Sequence, residues 1–326
     1  MTAQKQILLL SSLIVFSVAS ILFSLLSGSV DISATQLAKG IFSTEPSLNA
    51  QVLQEIRIPR TLAAFVTGGL LALSGAIMQV LLRNPLADPY ILGISGGAAV
   101  GALSAILVGA TGFWLSNAAF VGALSSIFLV FGIANKFGTW SVTRLLLTGV
   151  VVSAGWGAVI NILLTTSSTN NVQSMLFWLM GDLSQSRVNP AHYLLLLGGL
   201  VGGIFISRSL NVLIRGELLA VSLGVNVNSL RLLLFFSASV FTATAVTVAG
   251  SVGFVGLIIP HILRLLGARD HRILIPSCIL LGGSFLVLAD SLARTLIAPQ
   301  QLPVGVVTAV IGVPVFILIL RSTIRK

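Results

Sequence analysis

Apolar residues run in long blocks separated by short polar punctuation. The blocks fall at about 7–26, 61–82, 91–108, 114–134, 145–165, 193–206, 232–249, 252–266, 273–293 and 304–320. A bilayer core of about 30 Å takes about 20 helical residues to cross, and backbone groups in lipid must bond within their own segment. The ten blocks therefore predict ten transmembrane helices in a single membrane-spanning domain, 1–326. Two blocks, 193–206 and 252–266, are short for crossing, and the second is interrupted by Gly253, Gly256 and Pro260. Interrupted helices tend to line a cavity, where water or protein satisfies the broken backbone, which makes these three residues pathway candidates. The alternative is a tilted bundle with one kinked helix. Small residues recur at fourth positions in Gly93, Gly97 and Gly101, and in Gly198 with Gly202 and Gly199 with Gly203. Such faces permit close helix contact within one chain or between two. Spans 2–5 and 7–10 are a possible inverted repeat.

Composition narrows the class. The chain is 56% apolar and 8% charged, where soluble proteins are about a quarter charged, so an all-α polytopic membrane protein is expected. The net charge of +10 comes from single basic residues scattered between apolar runs, not from a stripe that would follow a nucleic acid. Cys278 is the only cysteine, which excludes a disulfide framework. His261 lies beside a proline and His271 beside an interfacial arginine, which does not make a metal site. Lys5 and the run 7–26 imitate a signal peptide, but the run is 20 residues long without a small-x-small cleavage site after it, and it is read as the first span.

Orientation follows from the positive charges. With the amino terminus cytoplasmic, thirteen of the 18 basic residues fall on inner loops and ends, and Lys39, Arg57, Arg60, Arg187 and Arg294 fall outside. This agrees with the positive-inside rule and puts both termini in the cytoplasm. The stretch Arg215, Gly216, Glu217, Leu218, Leu219, Ala220, Val221, Ser222, Leu223, Gly224, Val225 then faces the cytoplasm between spans 6 and 7. It has a helical apolar stripe too short to cross, and Gly224 suits a helix stop. A short cytoplasmic helix pair is expected, the alternative being an ordinary connecting turn. On the outer side, Met175 to Met180 reads as a helix lying at the surface.

Three arginines on the outer side, Arg57, Arg60 and Arg294, break the charge rule. Their planar forks suit capture of carboxylates on a partner, or they snorkel to lipid phosphates. Asp290 is the only acid inside a span. It is a pathway candidate by default, although an ion pair with Arg294, one turn away, is the simpler account. Asn84, Pro85, Leu86, Ala87, Asp88 and Pro89 form a rigid cytoplasmic turn before span 3.

The motifs Arg57-Ile-Pro-Arg60-Thr-Leu-Ala63, Gly75-Ala-Ile-Met-Gln79, Arg83-Asn-Pro-Leu-Ala-Asp-Pro89 and Leu92-Gly-Ile-Ser95, with Gly250-Ser-Val-Gly-Phe-Val-Gly256 through Pro260-His261 to Arg264, Asp270-His-Arg272, Ala289-Asp-Ser-Leu-Ala-Arg294 and Leu302-Pro-Val-Gly-Val-Val-Thr-Ala309, resemble the iron-siderophore, haem and cobalamin permease family of ATP-binding cassette importers (FecCD-type, type II). The likeness covers about residues 50–320. It implies a permease in the inner membrane whose Arg57, Arg60 and Arg294 meet glutamates of an extracytoplasmic substrate-binding protein. It also implies that Arg215, Gly216, Glu217, Ala220, Leu223, Gly224 and Val225 couple to two cytoplasmic ATPase subunits, that Asn84, Pro85, Leu86, Val142 and Thr143 form the cytoplasmic gate, and that a second permease copy completes the pathway. No Walker-type phosphate loop occurs, so ATP and Mg belong to the partner ATPase and the chain carries no cofactor of its own.

The expected cargo is a bulky metal chelate, ferric siderophore first, with cobalamin or haem as the alternative. An ion-coupled secondary transporter would need intramembrane ion sites, and only Asp290 is available. An intramembrane serine protease would use Ser95 of Gly93-Ile-Ser-Gly96 with His261 as base.

Overall fold

The structure is a computed structural model that describes residues 2–28, 33, 35–37, 48–135, 141–184 and 186–324. Among these every regular element is helical. The helices are α1 (Ala3–Leu26), α2 (Ile58–Leu81), α3 (Ile94–Leu107), α4 (Phe113–Asn135), α5 (Val142–Thr166), α6 (Thr169–Leu179), α7 (Pro190–Leu213), α8 (Glu217–Ser222), α9 (Val227–Ala249), α10 (Val255–Leu265), α11 (His271–Thr295) and α12 (Val304–Ile324). All ten predicted spans have a helix. The piece predicted at 175–180 falls in α6, and the loop between spans 6 and 7 holds the short helix α8, separated from α9 by residues 223–226. Of the basic residues that set the predicted orientation, Lys39, Lys136, Arg325 and Lys326 lie outside the described residues.

One expectation is corrected. The block 193–206 reads as short because polar residues follow it, yet α7 runs 24 residues to Leu213. Ser207 and Leu210 are buried on its inner side, and Asn211 in its last turn accepts from the His271 amide at 3.0 Å and donates to Asp270 at 2.8 Å. A helix can carry polar side chains through its last turns where a neighbour satisfies them. The short reading stands for α10, eleven residues or about 16 Å of rise, and extends to α3, fourteen residues. Span 2 reaches further toward the amino terminus than its apolar block. A π-helical turn, Val52–Arg57, continues α2 backward to Leu48.

α2 is the axis of the molecule. In its apolar window 89% of the residues are buried inside the chain, against 22% for α1, α5 and α7, whose remaining apolar surface needs lipid or protein to cover it. α2 packs on α9, α10 and α11, and glycine sets the closest approaches. A Cβ on Gly75 would run into the Gly256 carbonyl oxygen of α10, and one on Gly68 into that of Gly282 in α11. The small-residue face of α3 meets α4 in the same chain, Gly97 lying against Gly122 and Gly101 against Ala118.

Candidate functional site

Helix directions divide the polar features between two ends of the bundle. At one end α1 and α11 finish and α2 begins, and here the three outer arginines gather. All are buried, with exposures of 3% for Arg57, 5% for Arg60 and 8% for Arg294. Arg60 Nε donates to both oxygens of Asp290 at 3.0 Å, its Nη2 to Oδ1 at 2.9 Å, and its Nη1 to Gln301 at 2.8 Å. Arg294 closes the other side of the same carboxylate, Nε to Oδ2 at 3.1 Å, and donates from Nη2 to Ser24 Oγ at 2.9 Å. Arg57 donates to the carbonyls of Leu25 and Leu26, at 2.8 and 3.1 Å, where α1 ends. The i to i+4 pair expected for Asp290 is present, but Arg60 makes the fuller contact, from a helix 230 residues away in sequence. A pocket of about 340 Å³ opens beside Arg60, lined also by Glu55, Pro59, Ser184, Ser186 and the exposed Arg187.

At the opposite end, α8 projects between α7 and α9. Its stop is a Schellman motif: Val225 N–H donates to the Ala220 carbonyl and Gly224 N–H to that of Val221, both at 2.9 Å, with Gly224 at φ +80°. Ala220 is fully buried, whereas Leu218, Val221 and Leu223 are exposed, so α8 buries one small apolar residue and turns its larger apolar side chains outward. Glu217, half-exposed, reaches toward α9. Its two oxygens accept from Arg231 Nη1 at 3.1 Å and Nη2 at 2.7 Å, which ties the first residue of α8 to the second turn of α9. Arg215 is exposed beside it.

The turn before α3 lies at this end as well, with Asn84, Pro85 and Leu86 exposed. Its polar residues hold the turn together. Asn84 Oδ1 accepts from the Leu86 amide at 2.9 Å, and Asp88 caps the 3-10 turn Pro89–Leu92 by accepting from the Tyr90 amide at 2.8 Å. Burial pushes the Asp88 carboxyl up to about 6, against the lowering effect of the Tyr90 amide. The 3-10 turn packs on α5, where Gly149 admits the Ile91 backbone. Val142 and Thr143 start that helix, and Thr143 is exposed.

Between the ends, α3 and α10 start at the same depth and are tied together. Tyr90 Oη donates to the Val252 carbonyl at 3.0 Å and accepts from its amide at 3.2 Å, and Ser95 Oγ donates to Ser251 Oγ at 2.9 Å. Ser95 therefore has a serine partner and the serine–histidine pair of a protease is not assembled. Pro260 cannot donate to the Gly256 carbonyl four residues back. Gln79 of α2 replaces it, donating from Nε2 to the carbonyls of Gly256 at 3.4 Å and Leu257 at 3.2 Å, while its Oε1 accepts from Arg264. Gly253 has open space beside it, in contrast to the tightly walled Gly256. No group of three or more metal-ligating side chains occurs among the described residues.

The Gly75-to-Gln79 and Gly253-to-Arg264 motifs thus form one contact. The profile of the FecCD transport family matches residues 14–322. The chain belongs to that family. It is a multi-pass membrane permease, and ATP hydrolysis resides in a separate subunit. The chain is 44% identical over 281 residues to a Halobacterium salinarum protein named "Cobalamin import system permease protein BtuC", covering 85% of this chain and 75% of that one. It is 41% identical over 273 residues, 82% of each, to the "Vitamin B12 import system permease protein BtuC" of Klebsiella pneumoniae. A solved metal-chelate type ABC transporter in an inward-facing conformation superposes with a TM-score of 0.83 at 32% identity, covering 96% of this chain and 98% of that one.

Proposed function

We propose that the chain is the permease subunit of an ATP-driven cobalamin importer. The observation that carries this reading is the similarity to relatives named for cobalamin import, an archaeal and an enterobacterial one, each covering more than four fifths of the chain. The ferric-siderophore expectation finds no such support. A bulky, largely rigid chelate suits a pathway formed between two permease copies, and the exposed apolar sides of α5 and α7 leave surface for a second copy.

In this reading the arginine end faces outward and takes up an acidic substrate-binding protein through Arg57, Arg60 and Arg294. The α8 end faces the cytoplasm, where Arg215 to Val225 seat in each of two ATPase subunits carrying ATP and Mg. The turn Asn84 to Leu86, with Val142 and Thr143, forms the inner gate. Because the 3-10 turn after Asp88 is bonded to the opening of α10 through Tyr90, a movement of that turn is transmitted to the broken helix at Gly253 and Gly256. Uptake of labelled cyanocobalamin by cells lacking their own permease tests the proposal. Restored cobalamin uptake that needs the ATPase supports it. Restored ferric-siderophore uptake without cobalamin uptake overturns the cargo assignment.

A further inference from the structure

The outer arginines pose a problem for docking: among the described residues, Arg60 and Arg294 already share a carboxylate. Asp290 is fully buried, and the side chains of Arg60 and Arg294 are 6% and 8% exposed. Arg60 presents the Nε and Nη2 edge of its fork, the edge best shaped for a bidentate partner, to Asp290. Its remaining nitrogen goes to Gln301. Arg294 divides its donors between Asp290 and Ser24. Arg57 belongs to a different arrangement, since it donates to the carbonyls that end α1.

We infer that Asp290 is a positioning residue that holds the Arg60 and Arg294 forks inside the chain, so that an acidic partner reaches them by displacing it. An incoming carboxylate would offer Arg60 the same charge-assisted bonds that Asp290 gives it, and the exchange conserves bonds at the arginine while leaving Asp290 with fewer donors. The pocket of about 340 Å³ beside Arg60 gives the incoming side chain its approach, between Glu55 and Ser184. Internal pairing also explains how guanidiniums can wait at this depth without an external counter-ion. The masking stands on the geometry alone. Its consequence for docking rests on the docking reading above.

The test is arginine modification by phenylglyoxal, mapped by mass spectrometry on the purified chain in lipid nanodiscs, with exposed Arg187 as internal standard. Arg60 and Arg294 are expected to react far more slowly than Arg187 in the native protein. Asp290→Asn, which keeps the shape and removes the charge, should speed both by about tenfold, the scale of losing one charge-assisted bond, and leave Arg187 unchanged. Gln301→Ala, a loop change that spares the buried carboxylate, should speed Arg60 and not Arg294; it keeps the test open should Asp290→Asn fail to fold. Native Arg60 reacting at the rate of Arg187, or well-folded variants as protected as the native chain, would overturn the inference. A second arm measures association with a substrate-binding protein purified on immobilised cyanocobalamin. Asp290→Asn should associate faster, an outcome that mere damage to the fold does not produce. If a triple reversal of Arg57, Arg60 and Arg294 to Glu binds that protein normally while the masking result holds, the docking reading fails and the positioning role survives.

Discussion

Glu217 carries the sharpest prediction, because both its carboxylate oxygens are engaged by Arg231 within the chain although it lies on the segment where coupling is expected. Arg231 has a side-chain exposure of 7% and Glu217 one of 40%, so the pair lies between an exposed ion pair, worth about 0–1 kcal/mol, and a fully buried one, whose disruption costs about 3–5 kcal/mol. About 2 kcal/mol is the value expected for losing Glu217, since Arg231 Nε already lacks an acceptor among the described residues and the other two nitrogens would lose theirs. A change of that size shifts a docked-to-undocked ratio for α8 by about thirtyfold. Glu217→Arg and Arg231→Glu should each raise the ATP hydrolysed per substrate transported in proteoliposomes containing the ATPase. The double swap should recover a large part of the loss. Recovery is expected to be partial, because an arginine at the start of α8 opposes the helix dipole by about 0.3–1 kcal/mol. A double-mutant cycle should give a coupling energy above about 1 kcal/mol, beyond the roughly 0.3–0.5 kcal/mol within which independent sites add. A coupling energy of zero, with the swap as defective as the worse single variant, would mean that Glu217 acts by touching the ATPase and not as a strut between α8 and α9.

Three further outcomes are expected. Gln79→Leu leaves the Gly256 and Leu257 carbonyls and Arg264 without their partner across α2 and α10 and should lower thermal stability by about 2–4 kcal/mol; Gln79→Glu, which keeps an acceptor for Arg264, should cost less, and equal losses in a melting experiment would refute the bridging role. The Asp88 carboxyl is held up at about 6, above its ordinary value near 3.8, so its native state binds the proton more tightly than the unfolded chain. Stability from this group is therefore fully present below about pH 4 and is lost as pH rises through 6, and Asp88→Asn should remove that part of a melting-temperature-versus-pH profile; an unchanged profile would contradict it. Gly75→Ala should abolish a folded, transport-competent chain, because the added methyl meets backbone and not a movable side chain, while Gly253→Ala, with open space beside it, should express and fold normally on size-exclusion chromatography.

The pattern that makes the membrane spans legible also hides what positions the sites. Each apolar block yields its helix because a bilayer leaves the backbone no other partner, and Gly224 reads as a stop because a left-handed turn leaves few choices. Pairing between distant segments has no such local signature. That Asp290 sits one turn from Arg294 is visible in the chain, and spacing alone favours that nearer partner, yet Arg60 takes the larger share of its oxygens from across the bundle. Glu217 and Arg231 are fourteen residues apart with a glycine stop between them, so helix periodicity does not connect them. The true length of α7 is hidden for the same reason, its terminal Asn211 being satisfied by a helix that begins sixty residues later. Gln79 answers a different question: Pro260 announces a carbonyl without its donor, and a chain this apolar contains few amide side chains able to replace it. At Pro260, then, a proline inside a membrane helix goes with a polar residue on a neighbouring helix, a tertiary contact that periodicity does not reveal.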